Sequence, residues 1–179
     1  MASTDKEKWN KKYNKKQYIE ENPSEILEKF YSIAKVGNAL DIACGTGRNA
    51  IFLANKGFSV DAIDISDVAI KILKGKNPHI NTIIADLDEY NLEENKYELI
   101  VNVNFLNRNL IPSIKEALKT GGIVIFETFI LSQKRKNKFY YLRPNELLRL
   151  FLDFHIIFYE EKDVSKEERK AYLVAKKVC

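Results

Sequence analysis

Residues 39–54 read ALDIACGTGRNAIFLA and place a carboxylate, a turn of small residues and the start of a helix within one short segment. Glycine-rich turns before a helix often bind phosphate, through backbone N–H groups and the positive end of the helix dipole. The fixed negative charge of Asp41 disfavours a phosphate there and favours an ammonium or another cationic group. The segment therefore predicts a ligand site at a strand end, for a ligand that carries positive charge.

The composition predicts one folded domain over residues 1–179, with N-terminal helices in residues 1–36 and a core in residues 37–179. The chain is 45% hydrophobic and 30% charged, long enough for a full core and too short for a nucleotide-binding domain plus a large substrate domain. No apolar run approaches the roughly 20 residues of a membrane span, and the N-terminus is charged. We therefore expect no membrane association and a cytoplasmic location.

The two cysteines and the net charge are less informative. Cys44 and Cys179 form neither a disulfide framework nor a CxxC metal spacing. The net charge of +4 is concentrated in residues 5–18, DKEKWNKKYNKKQY. Such a run suits an anionic partner such as RNA or a solvated helix face. The solvated face is favoured, because arginines with interleaved aromatic residues would be the stronger nucleic-acid signal.

Helical and strand-like segments alternate along the chain, which predicts an α/β, doubly wound sheet covered on both faces. The predicted strands read NALDIAC, SVDAIDI, NTIIADL, YELIVNVNF, TGGIVIFETF, FHIIFYEE and KAYLVAKKV. The last two are joined by a polar stretch and are expected to form a hairpin. The sequence thus predicts a seven-stranded, Rossmann-like sheet, mostly parallel with an antiparallel last strand.

Six helices are expected from apolar periodicity and end signals. Asn22 is predicted to cap the second helix, with Pro23 at its first position and Glu25 completing a capping box, and Ser66 is predicted to cap the fourth. The predicted helices cover residues 6–18, 23–35, 48–56, 67–74, 112–119 and 143–151.

The turn also matches a dinucleotide fingerprint. Gly45, Gly47 and Ala50 satisfy G-x-G-x-x-G/A, and Asp64 ends the next predicted strand about twenty residues on. A small nicotinamide oxidoreductase is therefore an alternative. Asp41 argues against it, since this carboxylate would repel a pyrophosphate.

The same motifs carry a more specific resemblance. LDIACGTGRNAIFLA resembles the first motif of class I S-adenosylmethionine-dependent methyltransferases, VDAIDIS the second, IIADLDEY the third, YELIVNVNFLNR the fourth, and ALKTGGIVIFETF the segment that ends in the fifth strand. The resemblance covers nearly the whole chain. It implies S-adenosylmethionine as cofactor, S-adenosylhomocysteine as product, and a methyl-transfer reaction.

The resemblance also implies roles for individual residues. Asp64 would accept hydrogen bonds from the ribose hydroxyls with Ile65 beside the adenine, and Asp86 would bind the adenine amino group with Leu87 as its backbone neighbour. Asn102 would lie beside the cofactor. The turn that would contact the methionine part comprises Asp41, Ala43, Cys44, Gly45, Gly47, Arg48 and Asn49.

This assignment is chemically coherent. Asp41, Asp64 and Asp86 are expected to close three strands at their C-terminal ends, the edge where open α/β sheets bind ligands. An ammonium, two hydroxyls and an exocyclic amine are all donors, so a carboxylate suits each. The alternative is that these aspartates merely cap helices or turns, as Asp61, Asp67 and Asp88 are free to do.

Within the methyltransferases, CGTGRNAIFLA and the continuation ETF…LRPNELLRLF resemble the small bacterial group around tellurite-resistance methyltransferases. In that group the N-terminal segment that corresponds to Trp9 and Tyr13 lies over the cofactor pocket. The alternative is that Trp9 simply anchors the first helix.

Methyl transfer needs the nucleophile aligned about 3 Å from the methyl group and water excluded, and a general base only if the acceptor must lose a proton. No residue is therefore assigned as catalytic. The acceptor pocket is expected to be walled by the residues after the fourth and fifth strands, namely Asn104, Phe105, Arg108, Glu127, Tyr140 and Tyr141.

Several of these residues have two interpretations. Arg108 binds an anionic acceptor or is a surface charge, Tyr141 orients an acceptor or packs in the core, and Glu127 caps a loop or acts as a base. His79 and His155 have no partner at metal spacing, so no metal is expected.

The acceptor is expected to be a small, soft or anionic molecule. The position after the fourth strand reads NVNF, without the Asn-Pro-Pro-Tyr-like motif usual in enzymes that methylate exocyclic amines of nucleic acids. RNA or protein acceptors are therefore less favoured, and a non-catalytic cofactor-binding partner subunit is a further alternative. A monomer or a homodimer is expected.

Overall fold

The computed structural model describes residues 2–15, 19–132, 137 and 139–178. Its centre is a seven-stranded sheet in the order β3-β2-β1-β4-β5-β7-β6. The strands are β1 (Asn38–Ile42), β2 (Ser59–Asp64), β3 (Ile80–Ile84), β4 (Tyr97–Val103), β5 (Leu118–Ile130), β6 (His155–Asp163) and β7 (Arg169–Lys176). The β3-β2-β1-β4-β5 portion is parallel, and β7 runs antiparallel to both β5 and β6. The predicted fold class is confirmed.

Helices cover both faces of the sheet, since its central strands are apolar on both sides. The helices are α1 (Ala2–Asn14), α2 (Glu25–Phe30), α3 (Arg48–Asn55), α4 (Asp67–Leu73), α5 (Ile111–Ala117) and α6 (Glu146–Leu150). Helices α2, α3 and α4 contribute to the core on one face, around Leu27, Leu53 and Leu73. Helices α5 and α6 contribute to the core on the other, around Ile114 and Leu147.

The predicted start of the second helix is wrong. Helix α2 begins at Glu25 with Ser24 at the N-cap position, and no side chain caps it. The reason is a tertiary contact, in which the Ser24 N–H donates to Asn49 Oδ1 at 3.0 Å. This hydrogen bond fixes where the chain enters the helix. The helix ends at Phe30, followed by a 3-10 turn at Tyr31–Ile33, instead of continuing to residue 35.

Other boundaries shift for local reasons. Helix α1 begins four residues earlier than expected, and its predicted end at Tyr18 lies outside the described residues. Helix α6 begins at Glu146 because Asn145 adopts a left-handed φ of 59°. The Ser66 cap is confirmed, since its Oγ accepts a hydrogen bond from Ala69 N–H at 3.1 Å. No helix in the described part of the chain combines the length and hydropathy needed to cross a membrane.

Candidate active site

The turn between β1 and α3 lies at the C-terminal edge of the sheet. Three of its residues have positive φ, Ala43 at 52°, Gly45 at 55° and Gly47 at 87°. The Cys44 N–H donates to the Ile63 carbonyl at 2.9 Å, which joins the turn to the end of β2. A non-glycine residue in the left-handed region is uncommon and costs free energy, and such residues cluster at functional sites.

The two glycines of the turn have different roles. A Cβ on Gly47 would lie 2.2 Å from a methyl carbon of Leu73, so this glycine lets α3 approach α4. A Cβ on Gly45 would instead lie 2.7 Å from the hydroxyl oxygen of Tyr13. The Gly45 backbone is therefore the part of the turn that a polar group approaches closely, and in this structure that group belongs to α1.

Asp64 ties the turn to the helix that follows β2. Its Oδ2 accepts the Gly45 N–H and its Oδ1 accepts the Ser66 N–H, both at 2.8 Å. Burial raises its pKa, and the backbone N–H groups partly oppose that shift. The Ile65 backbone N–H also favours the ionised carboxylate. The two oxygens together offer about four acceptor positions, so the backbone hydrogen bonds do not saturate this group.

Asp41 is the least satisfied polar group of the site. It is 1% exposed, and its Oδ2 is buried without a hydrogen-bond partner. Burial raises its pKa to about 7, although the Ala50 backbone N–H and the charge of Arg48 favour the ionised form. A buried polar atom without a partner costs free energy. A ligand that brings a donor or a positive charge to this oxygen removes that cost.

Asp86 and Asn102 each stabilise their own turn. Asp86 lies two residues beyond the end of β3, and its Oδ1 accepts the Asp88 N–H at 3.0 Å. Asn102 is buried in β4, and its Nδ2 donates to the Phe105 carbonyl at 2.8 Å. Of the three aspartates expected to end strands, Asp64 does end β2. The other two are displaced slightly, because Asp41 is the penultimate residue of β1 and Asp86 lies in the turn after β3.

Helix α1 covers the turn. Asn10 Nδ2 donates to Asp67 Oδ1 at 2.9 Å, and Ser66 Oγ donates to Asn10 Oδ1 at 2.6 Å. Trp9 stacks against Tyr13 with 5.9 Å between ring centroids, and Tyr13 is buried. Burial raises the pKa of Tyr13, so its hydroxyl stays protonated. These contacts hold the Tyr13 hydroxyl over Gly45.

Of the other expected cofactor residues, two contact the segment before α2 and three are buried or partly buried. Arg48 and Asn49 bind the segment before α2, Arg48 through Glu20 and the Asn22 carbonyl and Asn49 through Ser24. Cys44 is buried in the turn, and burial raises the pKa of its thiol. Ile65 is partly buried, and Leu87 is buried in the α5 and α6 core. Arg48 and Asn49 therefore hold the N-terminal segment onto α3.

On the acceptor side, Arg108 fastens a loop. Its Nε and Nη2 contact the two carboxylate oxygens of Glu146 at 2.5 and 3.1 Å. Nη1 donates to the Phe139 carbonyl at 3.3 Å and Nη2 to the Tyr141 carbonyl at 3.0 Å. Arg108 also holds the pKa of Glu146 below its usual range. Of the two interpretations of Arg108, that of an exposed surface charge does not fit, because this half-buried guanidinium joins the chain after β4 to the loop after β5.

Glu127 forms an ion pair between two strands. Its Oε1 lies 2.5 Å from Lys170 Nζ, which joins β5 to β7, and both side chains are largely buried. The Glu127 carbonyl, and not its carboxylate, accepts the Asn104 N–H at 2.8 Å. The carboxylate therefore does not cap the loop, and its Oε1 is occupied by the Lys170 ammonium.

The remaining acceptor candidates vary in exposure. Tyr141 packs edge-on against Phe129 with 6.3 Å between centroids, which fits the packing alternative. Tyr140 is 54% exposed, and Lys8 Nζ of α1 lies 5.8 Å from its ring. Asn104 is exposed with φ of 60°, and Phe105 is half-buried against the α5 and α6 core. Residues 133–136 and 138 of the same predicted loop lie outside the described residues.

The sequence did not point to two residues near the site. The Ser24 hydroxyl is buried without a hydrogen-bond partner, and Lys170 occupies the ion pair with Glu127. Nothing in the local sequence distinguishes either residue. The position of Lys170 depends on the pairing of β7 with β5, and that of Ser24 depends on where the chain enters α2. In the part of the chain that the structure describes, no group of three or more His, Cys, Asp or Glu side chains could hold a metal ion.

Comparison with known proteins assigns the chain to a family. The family model described as tellurite resistance protein TehB matches residues 1–169. The chain belongs to the TehB family. The resemblance to class I S-adenosylmethionine-dependent methyltransferases is thereby confirmed.

Individual relatives agree with this assignment. The probable S-adenosyl-L-methionine-dependent methyltransferase TehB of Haemophilus influenzae is 36% identical over 94 residues, which cover 46% of this chain and 32% of that protein. Malonyl-[acyl-carrier protein] O-methyltransferase 1 of Ilyobacter polytropus is 30% identical over 147 residues, 72% of this chain and 54% of that protein. The chain therefore spans about a third to a half of the length of these relatives.

Solved structures share the fold of this TehB family member. The crystal structure of TehB from Haemophilus influenzae has a TM-score of 0.76 at 23% identity, covering 94% of this chain and 67% of that one. Phosphoethanolamine N-methyltransferase 2 of Haemonchus contortus, in complex with S-adenosyl-L-methionine, has a TM-score of 0.70 at 17% identity, covering 86% and 51%. At these identities the likeness concerns the fold alone.

Proposed function

We propose that this TehB family member is an S-adenosylmethionine-dependent methyltransferase with its cofactor site at the turn between β1 and α3. The observation that carries the proposal is Asp41, whose buried Oδ2 lacks a hydrogen-bond partner beside a left-handed turn. This oxygen suits the ammonium of the cofactor's methionine part and lies favourably for a sulfonium charge. The names of the TehB and acyl-carrier-protein methyltransferase relatives support the same cofactor.

The other carboxylates complete the proposed site. Asp64 keeps free acceptor positions for the ribose hydroxyls, and its two backbone hydrogen bonds fix its orientation. Asp86 would accept from the adenine amino group, with Ile65 and Leu87 beside the base. When bound, the cofactor supplies an electrophilic methyl group on a sulfonium. The task of the chain is then to hold the acceptor in line and to exclude water.

Helix α1 contributes the cover over this site. A Cβ on Gly45 would lie 2.7 Å from the Tyr13 hydroxyl oxygen, and Trp9 stacks on Tyr13. A ligand on the turn must therefore contact or displace the Tyr13 hydroxyl. For this reason we propose that residues 1–36 and the core form one domain. The proposed location of the protein is the cytoplasm.

The acceptor is proposed to be small, and soft or anionic. A thiolate, a selenide, a tellurite-derived anion or a halide needs no general base, and Glu127 is paired with Lys170 and therefore does not supply one. RNA or protein acceptors, and a role as a non-catalytic cofactor-binding subunit, are the competing proposals. A monomer or a homodimer remains the expected state.

Calorimetric titration with S-adenosylmethionine, S-adenosylhomocysteine and NAD, side by side, tests the cofactor. Micromolar binding of the first two without NAD is expected. Binding of NAD, or of none of the three, contradicts the proposal. Formation of S-adenosylhomocysteine with thiols, selenite, tellurite or halides then separates an enzyme from a binding subunit.

Two variants test the roles of the carboxylates. Asp64→Ala is expected to weaken cofactor binding by on the order of 2 kcal/mol and also to destabilise the protein, because two buried N–H groups lose their acceptor. Asp86→Ala is the matched comparison, expected to weaken binding with a smaller loss of stability, since this side chain is more exposed. Unchanged affinity in Asp64→Ala would remove the ribose assignment.

A further inference from the structure

A cavity lies between the chain after β4 and helix α6, among residues that do not belong to the β1–α3 turn. It has a volume of about 400 Å³ and is lined by Arg108, Phe139, Arg143, Glu146 and Arg149. This volume lies within the roughly 300–1,000 Å³ range of small-molecule sites. A cavity of this size has room for an oxyanion together with an organic group.

The charges around the cavity do not cancel. Arg108 uses its guanidinium on both oxygens of Glu146, so these two residues neutralise each other. Arg143 and Arg149 are exposed, and within the described residues neither guanidinium forms a hydrogen bond or an ion pair. Two positive charges therefore remain unpaired at the cavity.

Glu161, which contacts the backbone at Asn145 just before α6, is already engaged. Glu161 Oε1 accepts the Asn145 N–H and the Tyr159 hydroxyl, and its Oε2 lies 3.6 Å from Arg169 Nη2. It therefore has competing partners that do not line the cavity. Glu146 also accepts the Arg143 backbone N–H at 2.7 Å, but no carboxylate in the described part of the chain forms an ion pair with the guanidinium of Arg143 or Arg149.

The aromatic ring at the cavity mouth indicates the rest of the ligand. Phe139 is 82% exposed, although its backbone carbonyl is held by Arg108. An aromatic or apolar group on a ligand would bury part of this ring. The cavity therefore combines two unpaired guanidinium groups with an apolar surface.

We propose that this cavity binds the phosphate of a small organic phosphomonoester, with Arg143 and Arg149 contacting the phosphate and Phe139 contacting the organic part. A phosphomonoester carries about two negative charges near pH 7, which matches two guanidinium groups. Guanidinium also binds phosphate through paired hydrogen bonds. The concave shape favours a small molecule over an extended nucleic-acid backbone.

The test uses the full chain and phenyl phosphate as the probe, with benzoate and benzyl alcohol as singly charged and neutral comparisons. Phenyl phosphate is expected to bind with a Kd below about 1 mM and at least ten-fold more tightly than benzoate. Arg143→Gln and Arg149→Gln are each expected to raise that Kd about ten-fold, as for the loss of one charge-assisted contact. Lys71→Gln, an exposed substitution on α4 that removes the same charge, is expected to leave it unchanged.

Several outcomes would overturn the proposal. These are no saturable binding of phenyl phosphate, equal binding of benzoate or of inorganic phosphate, or equal effects of Lys71→Gln and the arginine variants. Competition with S-adenosylhomocysteine would place the probe at the turn instead. Tighter binding of a single-stranded oligonucleotide would make the arginines a nucleic-acid surface. Because cofactor titration is measured separately, failure here is distinguishable from failure of the proposed function.

Discussion

Asp41 occupies a central strand with one carboxylate oxygen buried and unpartnered. Burial raises its pKa from 3.8 to about 7, so the folded protein holds a proton there that the unfolded chain releases. The stabilisation from this group is therefore complete below pH 4 and is lost as the pH rises towards 7 and beyond. The ligand-free protein carries a stability cost at neutral pH for keeping an ionisable acceptor in the site.

Asp41→Asn is expected to be more stable than the unmodified chain at pH 8, by on the order of 2 kcal/mol, and to lose affinity for S-adenosylhomocysteine. The amide cannot ionise, so the free energy of unfolding should fall less between pH 5 and pH 8 in the variant. The residual slope includes Asp64, whose pKa is also raised. Urea denaturation at both pH values gives the measurement.

Asp88→Asn is the control, because this exposed aspartate keeps an oxygen for its hydrogen bond from Asn107. It should show the pH dependence of the unmodified chain. An equal slope in Asp41→Asn and the unmodified chain would mean that Asp41 does not titrate between pH 5 and 8.

The sequence motifs predicted where Asp41 and Asp64 lie, but not the hydrogen bonds that Asp64 accepts. The motif spacing brought Asp41 and Asp64 to one turn, as the structure has them. It did not indicate that Asp64 already accepts the N–H groups of Gly45 and Ser66, because those bonds depend on the local path of two loops. The same limit explains Arg108, whose acceptor Glu146 lies 38 residues further along the chain.

At the scale of elements, α1 is attached to α4 mainly by polar contacts. Asn10 joins Ser66 and Asp67, and Lys6 lies 3.2 Å from Asp67. Partly exposed contacts of this kind contribute little individually. The helix that covers the turn is therefore held less firmly than the helices that contribute to the two cores.

Asn10→Ala is expected to loosen α1 and expose Trp9, because it removes both side-chain hydrogen bonds to the start of α4. The chain has one tryptophan, so its fluorescence reports on α1 alone. Acrylamide quenching of Trp9 should increase, and its emission should shift to longer wavelength.

Asn14→Ala, an exposed position in the same helix, serves as the control for helix propensity and should leave the quenching unchanged. If both variants quench equally, the polar contacts of Asn10 do not hold the helix in place.

The Arg108 side chain joins the loop around residues 139–141 to the chain after β4. Arg108→Met removes the partner of Glu146 and the donor to the Phe139 and Tyr141 carbonyls. Amide hydrogen exchange of residues 139–141 is expected to accelerate at least ten-fold, while exchange in β1 and β4 stays constant.

Lys115→Met is the matched variant, since it breaks the Lys115–Asp153 ion pair at a different place. Exchange at residues 139–141 should not change in this variant. Unaltered exchange in Arg108→Met would show that the loop is held by its backbone bonds, such as Leu142 N–H to the Phe129 carbonyl.

Helix boundaries show where local sequence stops being sufficient. Ser66 was identified as a cap because its partner is three residues away in the same helix. The cap of α2 was misassigned because the decisive partner of Ser24 is Asn49, which lies on another helix. Local rules therefore succeed when both hydrogen-bonding groups are close in sequence.

At the scale of the whole molecule, the alternating apolar segments and the closing hairpin predicted a mostly parallel, seven-stranded sheet, but not the order of its strands. The insertion of β7 between β5 and β6 joins the parallel part of the sheet to that hairpin. One buried ion pair, Glu127 with Lys170, lies across this junction. The local sequence around Glu127 or Lys170 does not indicate this ion pair, because the register of β5 against β7 brings the two residues together.

Lys170→Met is expected to destabilise the protein by about 3–5 kcal/mol, because it leaves the Glu127 carboxylate buried without its counter-ion. The double variant Glu127→Gln with Lys170→Met should recover most of that loss. Urea denaturation of the two variants gives the comparison. A loss below about 1 kcal/mol in the single variant would mean that Glu127 is protonated or hydrated once Lys170 is removed.

The position of β7 also bears on synthesis by the ribosome. Strand β5 pairs with β4 on one side and with β7 on the other, and some forty residues separate its end from the start of β7. While that stretch is being translated, one edge of β5 has no strand to pair with, and the emerging chain presents an apolar edge open to other chains. The nascent protein should therefore depend on chaperones most strongly during translation of this interval.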